Sequence, residues 1–361
     1  MEKTKVLLRK GDLEKIPDFI DETFFLFKEK PFVNGERVLL YFDGYYDRKK
    51  DISTFPDENL IKSLIEKILE FEVNLRVGVP VIEYIDEKIY SILKSYPIEI
   101  VSFMREGFVK VQHKKIVVGP QRKYSEHVHR RVLSKLYLPQ SYFWANSLVS
   151  LSKIKLHPFF RFEGSTVGIL SLTPSYTKIE TLFYGANLTI LGEALSEILS
   201  IINEKIKLIF LDGITIFEGD EIKGNKKELN VILSSNDFLS IDSVGSVLVG
   251  LRPRENPIFN SISIRNLGVN KLTEIDIRGE KIDNLIKPAK LPTRRKKGIF
   301  NKTSFLIDKN LCTDCEICTE ICPTSCIDLS NHLIDKKRCV LCFECYLRCP
   351  ESAIKIKWFL Y

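Results

Sequence analysis

The sequence predicts an α/β fold, with a mainly parallel sheet and helices on both faces, followed by a small α+β module at the C-terminus. One observation behind this prediction is that apolar strand-like segments alternate with amphipathic helical segments over most of the chain. The other is that all nine cysteines lie within residues 312–349. These patterns divide the chain into an α/β domain (1–280), a basic, proline-containing linker (281–304) and a cysteine module (305–361).

The first half of the α/β domain carries the clearest alternation. Residues 1–35 predict no more than a lead-in helix. Strand, helix, strand, helix and strand segments then follow in order, over residues 37–42, 57–69, 75–81, 85–93 and 98–103. This β-α-β-α-β order is typical of a parallel sheet, and Asp57 has the position of a helix N-cap.

The second half continues the pattern less regularly. Strand-like segments are predicted at residues 116–118, 132–138 and 148–154. A long amphipathic helix then leads into an apolar strand, 206–211, which we expect to end at Asp212-Gly213. The remaining elements are a strand, two helices and a strand, at residues 229–233, 238–250, 257–267 and 274–277. Periodicity is lost from residue 281, and the predicted linker contains the basic run 294–297.

Length and composition restrict the class of protein. A chain of 361 residues is long enough for one large core and a small module. Its 44% hydrophobic and 28% charged residues are typical of a soluble globular protein. The N-terminal residues have no signal-peptide core, and no uninterrupted apolar run reaches transmembrane length. We therefore expect a cytoplasmic protein without a membrane span, in a compartment that keeps thiols reduced.

The net charge of +7 is unevenly distributed. Residues 305–361 contain seven basic and eight acidic side chains, which leaves +8 for the rest of the chain. This difference would let the two parts dock on each other, and it equally suits an acidic substrate or an acidic partner protein. The basic residues are scattered without a recognition motif, which argues against nucleic-acid binding.

Several polar residues follow predicted strand ends, where ligands bind in open α/β sheets. The candidate site residues of the α/β domain are Lys155, His157, Asp212, Glu218, Asp237 and Asp242. Such a set could hold a divalent metal or orient a small polar substrate for proton transfer. The structural alternative makes Asp212 part of a turn, Asp237 an N-cap and Asp242 a surface helix residue. A further candidate metal pair, His127 and His129, has no third ligand nearby in the sequence.

The cysteines form two copies of one pattern, C-x2-C-x2-C-x3-C-P, which holds [4Fe–4S] clusters in two-cluster proteins. The fourth cysteine of each copy binds the cluster of the other copy. Cluster one is therefore predicted to use Cys312, Cys315, Cys318 and Cys349. Cluster two is predicted to use Cys339, Cys342, Cys345 and Cys322. The alternatives are a pair of zinc sites, whose C-x2-C halves are usually separated by a longer gap, or a disulfide scaffold, which would need a secreted chain.

The repeat extends beyond the cysteines. Residues 306–309, Leu-Ile-Asp-Lys, return as residues 333–336, at an offset of 27. The repeat implies a pseudo-twofold module of short strands and turns that resembles the dicluster ferredoxin fold. The ninth cysteine, Cys326, occupies the position of Ala353 in the second copy. It would pack as a small apolar residue beneath a cluster, or serve as an alternative ligand or redox sensor.

Three segments of the α/β domain resemble an uncharacterised family, domain of unknown function 362, which is often fused to a dicluster ferredoxin. The first is Leu151–His157 and the third is Ser235–Asp242. The second lies between them and consists of Leu211-Asp212-Gly213 together with Phe217-Glu218-Gly219. The family patterns are Pro-Lys-x-Lys-Thr-His, Asp-Gly-x4-Glu-Gly and Asp-Pro-x-Ala-x-Asp. This chain departs from them at Leu156 and Phe238, and Tyr41-Phe42-Asp43 replaces a Lys-Pro-Asn segment. The resemblance covers about residues 35–280 and implies no particular reaction.

The sequence therefore predicts an iron–sulfur protein that passes single electrons through two clusters, to or from a polar site in the α/β domain. Its partner would be a redox protein or a small polar substrate. The alternative is a non-enzymatic electron-transfer or scaffold subunit whose α/β domain binds a partner protein.

Overall fold

The computed structural model describes most of the chain. The described residues are 3–27, 31–42, 44, 46–47, 52–82, 85–112, 114, 117–118, 127–128, 132–133, 135–157, 160–174, 188–219, 225–292, 303–320, 322, 324–339, 345–346 and 349–358. Among them, no helix combines the length and the apolar character needed to cross a membrane.

An eight-stranded sheet forms the centre of the body, the part of the chain up to residue 292. Its strands are β1 (Thr4–Lys10), β2 (Arg37–Phe42), β3 (Asn74–Val79), β4 (Glu99–Ser102), β5 (Ser147–Lys153), β6 (Ile206–Glu218), β7 (Asn225–Ser235) and β8 (Ile275–Gly279). Their order across the sheet is β8-β1-β7-β6-β5-β2-β3-β4. Strands β6, β5, β2, β3 and β4 run parallel, as do β1 and β8, whereas β7 is antiparallel to both β1 and β6.

Helices cover both faces of this sheet. They are α1 (Ile16–Leu26), α2 (Glu58–Leu69), α3 (Glu87–Lys94), α4 (Leu188–Ile202), α5 (Phe238–Leu248) and α6 (Pro257–Ser263). Helices α1–α3 pack on one face with Leu40 and Phe210, and helices α4–α6 pack on the other with Leu211 and Leu233. The predicted α/β fold with a mainly parallel sheet is confirmed.

Shorter elements complete the body. Single helical turns are found at Phe103–Glu106, Gln140–Trp144 and Ser165–Gly168. Small antiparallel pairs join Phe108–Val111 to Leu136–Pro139, Lys155–His157 to Arg161–Glu163, Tyr46–Asp47 to Ile52–Ser53, and Val117–Val118 to His127–Val128. The second of these pairs is called the 155–163 hairpin below.

Helix capping follows the sequence. The Asp57 carboxylate accepts a hydrogen bond from Asn59 N at 2.9 Å, and the Asp237 carboxylate accepts one from Ser240 N at 2.7 Å. Both aspartates stand one residue before the first helical residue, where a side-chain oxygen satisfies an N–H that has no partner within the helix. The two predicted N-caps are confirmed.

Two strands differ from the prediction. Strand β1 lies in residues for which only a lead-in helix was predicted, and it is inserted between β8 and β7 with Val6, Leu7 and Leu8 buried. Strand β6 does not end at Asp212-Gly213, so that prediction was wrong. It continues to Glu218 because β7 pairs with it from Ile209 to Glu218, with a register shift between Gly213 and Thr215.

The first part of the predicted linker is also part of the body. Leu285 is buried, Lys287 N donates to Leu248 O at 2.8 Å, and Lys290 O accepts from Gly219 N at 2.7 Å. The body therefore extends about ten residues beyond the boundary suggested by the loss of periodicity. The basic run 294–297 lies outside the described residues.

The described part of the cysteine module includes four short strands and a helical turn. The strands are β9 (Thr303–Ile307), β10 (Ile327–Asp328), β11 (Leu333–Ile334) and β12 (Ile354–Trp358), and the turn is Ile317–Glu320. Strand β9 pairs antiparallel with β12, and β10 with β11. The first and last strands of the module are therefore neighbours, which brings its two cysteine runs together around a separate small core.

Candidate functional site

The cysteine module repeats its backbone hydrogen bonds at the offset of 27. Asp308 N donates to Ala353 O at 2.8 Å, and Asp335 N donates to Cys326 O at 2.8 Å. Residues 308 and 335 are equivalent in the repeat, and so are 326 and 353. Each half of the module therefore makes the same contact with the other half, as a pseudo-twofold arrangement requires.

The fourth cysteine of each run lies in the same local geometry. Cys326 N donates to Cys322 Sγ at 3.4 Å, and Ala353 N donates to Cys349 Sγ at 3.2 Å. The turns that make these contacts have φ angles of 46° at Ser325 and 49° at Ser352. Hydrogen bonds of this kind stabilise a thiolate, the form in which cysteine binds a metal.

One cavity in the module is lined by four cysteines from both runs. They are Cys312, Cys315, Cys318 and Cys349. This is the set that the sequence predicts for cluster one, including the cysteine contributed by the other run. The remaining lining is largely apolar and includes Ile307, Ala353 and Ile354.

The second predicted set is described only in part. Cys342 lies outside the described residues. Cys345 is 7% exposed, close to the 8% of its repeat equivalent Cys318. The two halves therefore bury the equivalent cysteine to the same extent.

A mixed group of ligand atoms, not predicted from the sequence, lies beside this cavity. His332 Nε2 is 3.1 Å from Asp314 Oδ1, and Cys312 Sγ is 3.6 Å from the same oxygen. Ligand atoms of these three residues all lie within 4.8 Å of one another. No sequence spacing pointed to this group, because His332 comes from the turn between β10 and β11. Nitrogen, oxygen and sulfur atoms at such distances could bind a metal ion.

The ninth cysteine contacts the predicted cluster-two set. Cys326 Sγ is 3.5 Å from Cys322 Sγ, and only 6% of Cys326 is exposed. Burial raises the pKa of the Cys326 thiol to about 12. A buried, protonated thiol packs as a small apolar group, in keeping with the alanine at the equivalent position 353.

In the body, Asp212 is completely buried and accepts three hydrogen bonds. The donors to its carboxylate are Lys153 Nζ at 2.7 Å, Asp57 N at 2.9 Å and Ile214 N at 2.7 Å. Lys153 ends β5, and Asp57 is the N-cap of α2. Asp212 therefore joins two neighbouring strands to the start of a helix.

Lys155 and His157 lie on the 155–163 hairpin, at the edge of the sheet where the parallel strands end. Lys155 Nζ forms an ion pair with Glu163 Oε1 at 2.9 Å, and both side chains are largely buried. His157 Nδ1 accepts a hydrogen bond from Phe160 N at 3.4 Å, and its ring stacks on Phe160 with 4.3 Å between centroids. The hairpin thus holds an ion pair and an oriented imidazole close together in the chain.

Asp242 is fully buried and is not the surface helix residue of the structural alternative. Its carboxylate accepts hydrogen bonds from Ser165 N at 2.7 Å, Thr166 N at 2.8 Å and Thr166 Oγ1 at 2.5 Å. Burial raises the pKa of Asp242 to about 6 in spite of these donors. Gly164 precedes the helical turn, and a Cβ there would collide with the Asp242 carboxylate.

The other two candidates lie apart from these groups. Asp237 caps α5 after β7, which is antiparallel to β6, so Asp237 lies at the opposite edge of the sheet from the hairpin. It lines an open groove of about 440 Å³, and burial raises its pKa to about 6. The Glu218 carboxylate accepts a hydrogen bond from Lys290 N at 3.1 Å, and this bond lowers the pKa of Glu218. Glu218 also forms an ion pair with Lys227 at 3.3 Å.

The six candidates of the body therefore do not form one site. The Asp212 side chain points to the sheet face covered by α1–α3, whereas Asp242 belongs to α5 on the other face. Within the described part of the chain, one group of three potential ligands among His, Cys, Asp and Glu has its ligand atoms within 4.8 Å of one another, and it is the Cys312 group, not any of the six candidates. His129 lies outside the described residues, so the predicted histidine pair stays a prediction.

Comparison with protein families finds a match to part of the body. Residues 78–246 match the model of a family described as a domain of unknown function (DUF362). No curated protein matches the chain.

Likenesses to solved structures are distant and partial. A protein from Thermotoga maritima has 13% identity and a TM-score of 0.38, with 58% of this chain and 52% of that chain covered. The lactate racemase apoprotein from Thermoanaerobacterium thermosaccharolyticum has 12% identity and a TM-score of 0.38, with 66% and 55% covered. A loganic acid methyltransferase with SAH has 12% identity and a TM-score of 0.23, with 69% and 64% covered. The chain thus spans little more than half the length of the first two proteins.

Proposed function

We propose that residues 305–361 bind two [4Fe–4S] clusters and pass single electrons between a redox partner and the α/β domain. The observation that supports this most is the cavity lined by Cys312, Cys315, Cys318 and Cys349. Cysteines 31 to 37 residues apart in sequence come together there, as crossed ligation between the two runs requires. When bound, such clusters supply one-electron redox chemistry.

The residues around the cysteines suit this cofactor. The sulfurs of Cys322 and Cys349 accept backbone N–H groups, which stabilise negative charge on a bound cluster. Ile307 and Ile354 form apolar walls that limit water access. The thiol-rich set also fits our proposal of a cytoplasmic location, where thiols stay reduced.

The electrons need a second site, which we propose at the carboxyl edge of the parallel strands. Lys155 and His157 are the candidates there to neutralise or protonate a small polar substrate. Asp212 supports this edge through Lys153 and α2 and does not itself contact a substrate in this proposal. The distribution of Asp212, Asp237 and Asp242 over both faces and edges of the sheet removes the geometric basis for one divalent metal held by all three.

A non-enzymatic electron-transfer or scaffold subunit is the second candidate function. It is favoured by the hydrogen bonds of the body's aspartates, because Asp212, Asp237 and Asp242 each accept bonds from backbone N–H groups that stabilise the fold. In this alternative the α/β domain recognises a partner protein and carries out no chemistry.

Anaerobic reconstitution followed by iron and sulfide analysis tests the cofactor. The proposal expects about eight irons and eight sulfides per chain, the content of two cubanes. A stoichiometric zinc content, or half the expected iron, would contradict it. The Cys312 group predicts instead a single metal ion that is lost in His332→Ala, a variant that leaves all the cluster cysteines in place.

Native mass spectrometry of the anaerobic protein tests the body. A bound small anion that is lost in both Lys155→Met and His157→Gln, and retained in the matched variant Lys207→Met at the opposite edge, supports a substrate site. If the anion is bound equally by all three variants, the hairpin is not the site and the scaffold function is favoured.

A further inference from the structure

The two halves of the cysteine module have the same backbone pattern but opposite charge. Residues 305–331 contain five acidic side chains and one basic side chain. Residues 332–361 contain three acidic and six basic side chains. The half that carries the first cysteine run therefore has a net charge of −4, against +3 for the other half.

The difference is concentrated next to the cluster ligands. At the offset of 27, Glu316 corresponds to Phe343 and Glu320 to Leu347. Leu311, which precedes the first cysteine of its run, corresponds to Arg338. The repeat keeps the four cysteines of each run but changes these neighbours, so the two halves offer different side chains to a partner.

The surface over cluster one combines an exposed thiol with exposed apolar and acidic side chains. Cys315 is exposed and lines the four-cysteine cavity. The large apolar side chains of Leu311 and Ile317 are 43% and 36% exposed. Glu316 and Glu320 are also exposed, one helical turn apart. We call Leu311, Cys315, Glu316, Ile317 and Glu320 the cluster-one face.

An apolar centre with a charged rim is the usual composition of a transient protein interface. One-electron transfer needs close approach of two redox centres, and an exposed ligand is where a cluster can be approached most closely. Acidic side chains around it attract a positively charged protein and accelerate the encounter. All five residues of the cluster-one face are exposed in the described part of the chain.

We infer that the cluster-one face is the docking surface for a basic one-electron carrier protein, so that electrons enter or leave the module at cluster one. The inference rests on the proposed function. In the outward direction, a reduced cluster loses one electron and the ferric iron of the carrier gains it. No bond or proton is transferred.

Cytochrome c, a basic haem carrier, is the probe for this surface. We expect Glu316→Gln/Glu320→Gln to weaken its binding to the reconstituted full chain by at least about threefold at low ionic strength. The same variant should slow reduction of cytochrome c by a similar factor and reduce the dependence of the rate on salt. The matched control, Glu14→Gln/Asp18→Asn, removes two exposed charges from the body and should leave both values unchanged.

Carbodiimide cross-linking supplies a readout that does not depend on electron transfer. Peptide mapping should place cross-links from cytochrome c lysines at Glu316 and Glu320. Cross-links from these two glutamates to lysines of the protein's own body would make the body the occupant and overturn the inference. Equal loss of binding in the test and control variants would overturn it as well.

Failure of the inference and failure of the proposed function can be told apart. If the face does not dock a carrier, the wild-type protein still contains about eight irons and is still reduced by a small viologen. If the clusters themselves are absent, iron content and viologen reduction fail together in the wild-type protein.

Discussion

Substitution of Asp212 by alanine tests whether this residue is structural. The change leaves the Lys153 ammonium, whose side chain is 8% exposed, without its carboxylate partner. It also leaves the backbone N–H groups of Asp57 and Ile214 without their acceptor. Each buried donor without a partner costs about 1–3 kcal/mol, and removal of one partner of a buried ion pair costs about 3–5 kcal/mol in all.

We therefore expect Asp212→Ala to lower the free energy of unfolding of the body by about 3–5 kcal/mol. Urea denaturation followed by tryptophan fluorescence measures this value. The chain has two tryptophans, and Trp358→Phe leaves Trp144, next to Arg76 at 4.0 Å from its ring centre, as the reporter of the body alone. This background keeps the cysteine module out of the signal, so a two-state analysis applies to one domain.

A second substitution identifies the cause. In the Asp212→Ala background, Lys153→Met removes the unpaired charge and should restore about 1–3 kcal/mol. The reasoning is refuted if Asp212→Ala unfolds at the urea concentration of the wild-type protein. It is also refuted if Lys153→Met destabilises both backgrounds equally, because the two side chains would then not interact.

Three further outcomes are expected. If ligation is crossed as proposed, Cys349→Ala should remove the same EPR signal of the reduced protein as Cys312→Ala, and a different one from Cys322→Ala. Loss of the same signal in Cys312→Ala and Cys322→Ala, which belong to one run, would contradict the crossed assignment. Burial raises the pKa of Asp242 to about 6, above its value of about 3.9 in an unfolded chain. The folded protein therefore binds this proton more tightly than the unfolded chain does. The resulting stabilisation is fully present below about pH 4 and is lost as the pH rises through 6. Asp242→Asn should flatten that decline in urea denaturation between pH 4 and 7, and an unchanged slope would assign it to another group. Cys326→Ala should retain about eight irons, because alanine fills the equivalent position in the other half; half the iron would make Cys326 a ligand.

Local sequence patterns predicted most of the secondary structure in the first half of the body. The five elements from β2 to β4 follow from apolar periodicity and from a cap at Asp57, all of which act over a few residues. Strand β1 was missed because its place is set by pairing with β7 and β8, more than 200 residues away in sequence. The Asp212-Gly213 pair suggested a turn, but pairing with β7 kept it in a strand, since tertiary contacts override a weak local preference.

The candidate site residues also divide into those predicted from local sequence and those whose positions depend on long-range contacts. The sequence by itself determined the two cysteine runs, their repeat and the expected ligand sets, because the cysteine spacing within each run is a local property of the chain and the pattern implies exchange of the fourth cysteine. Only the tertiary structure decided that Asp212 and Asp242 lie on opposite faces of the sheet and that Asp237 lies at the far edge. Those positions depend on strand order and on the antiparallel direction of β7. Both arise from contacts between segments distant in sequence, so apolar periodicity does not predict them.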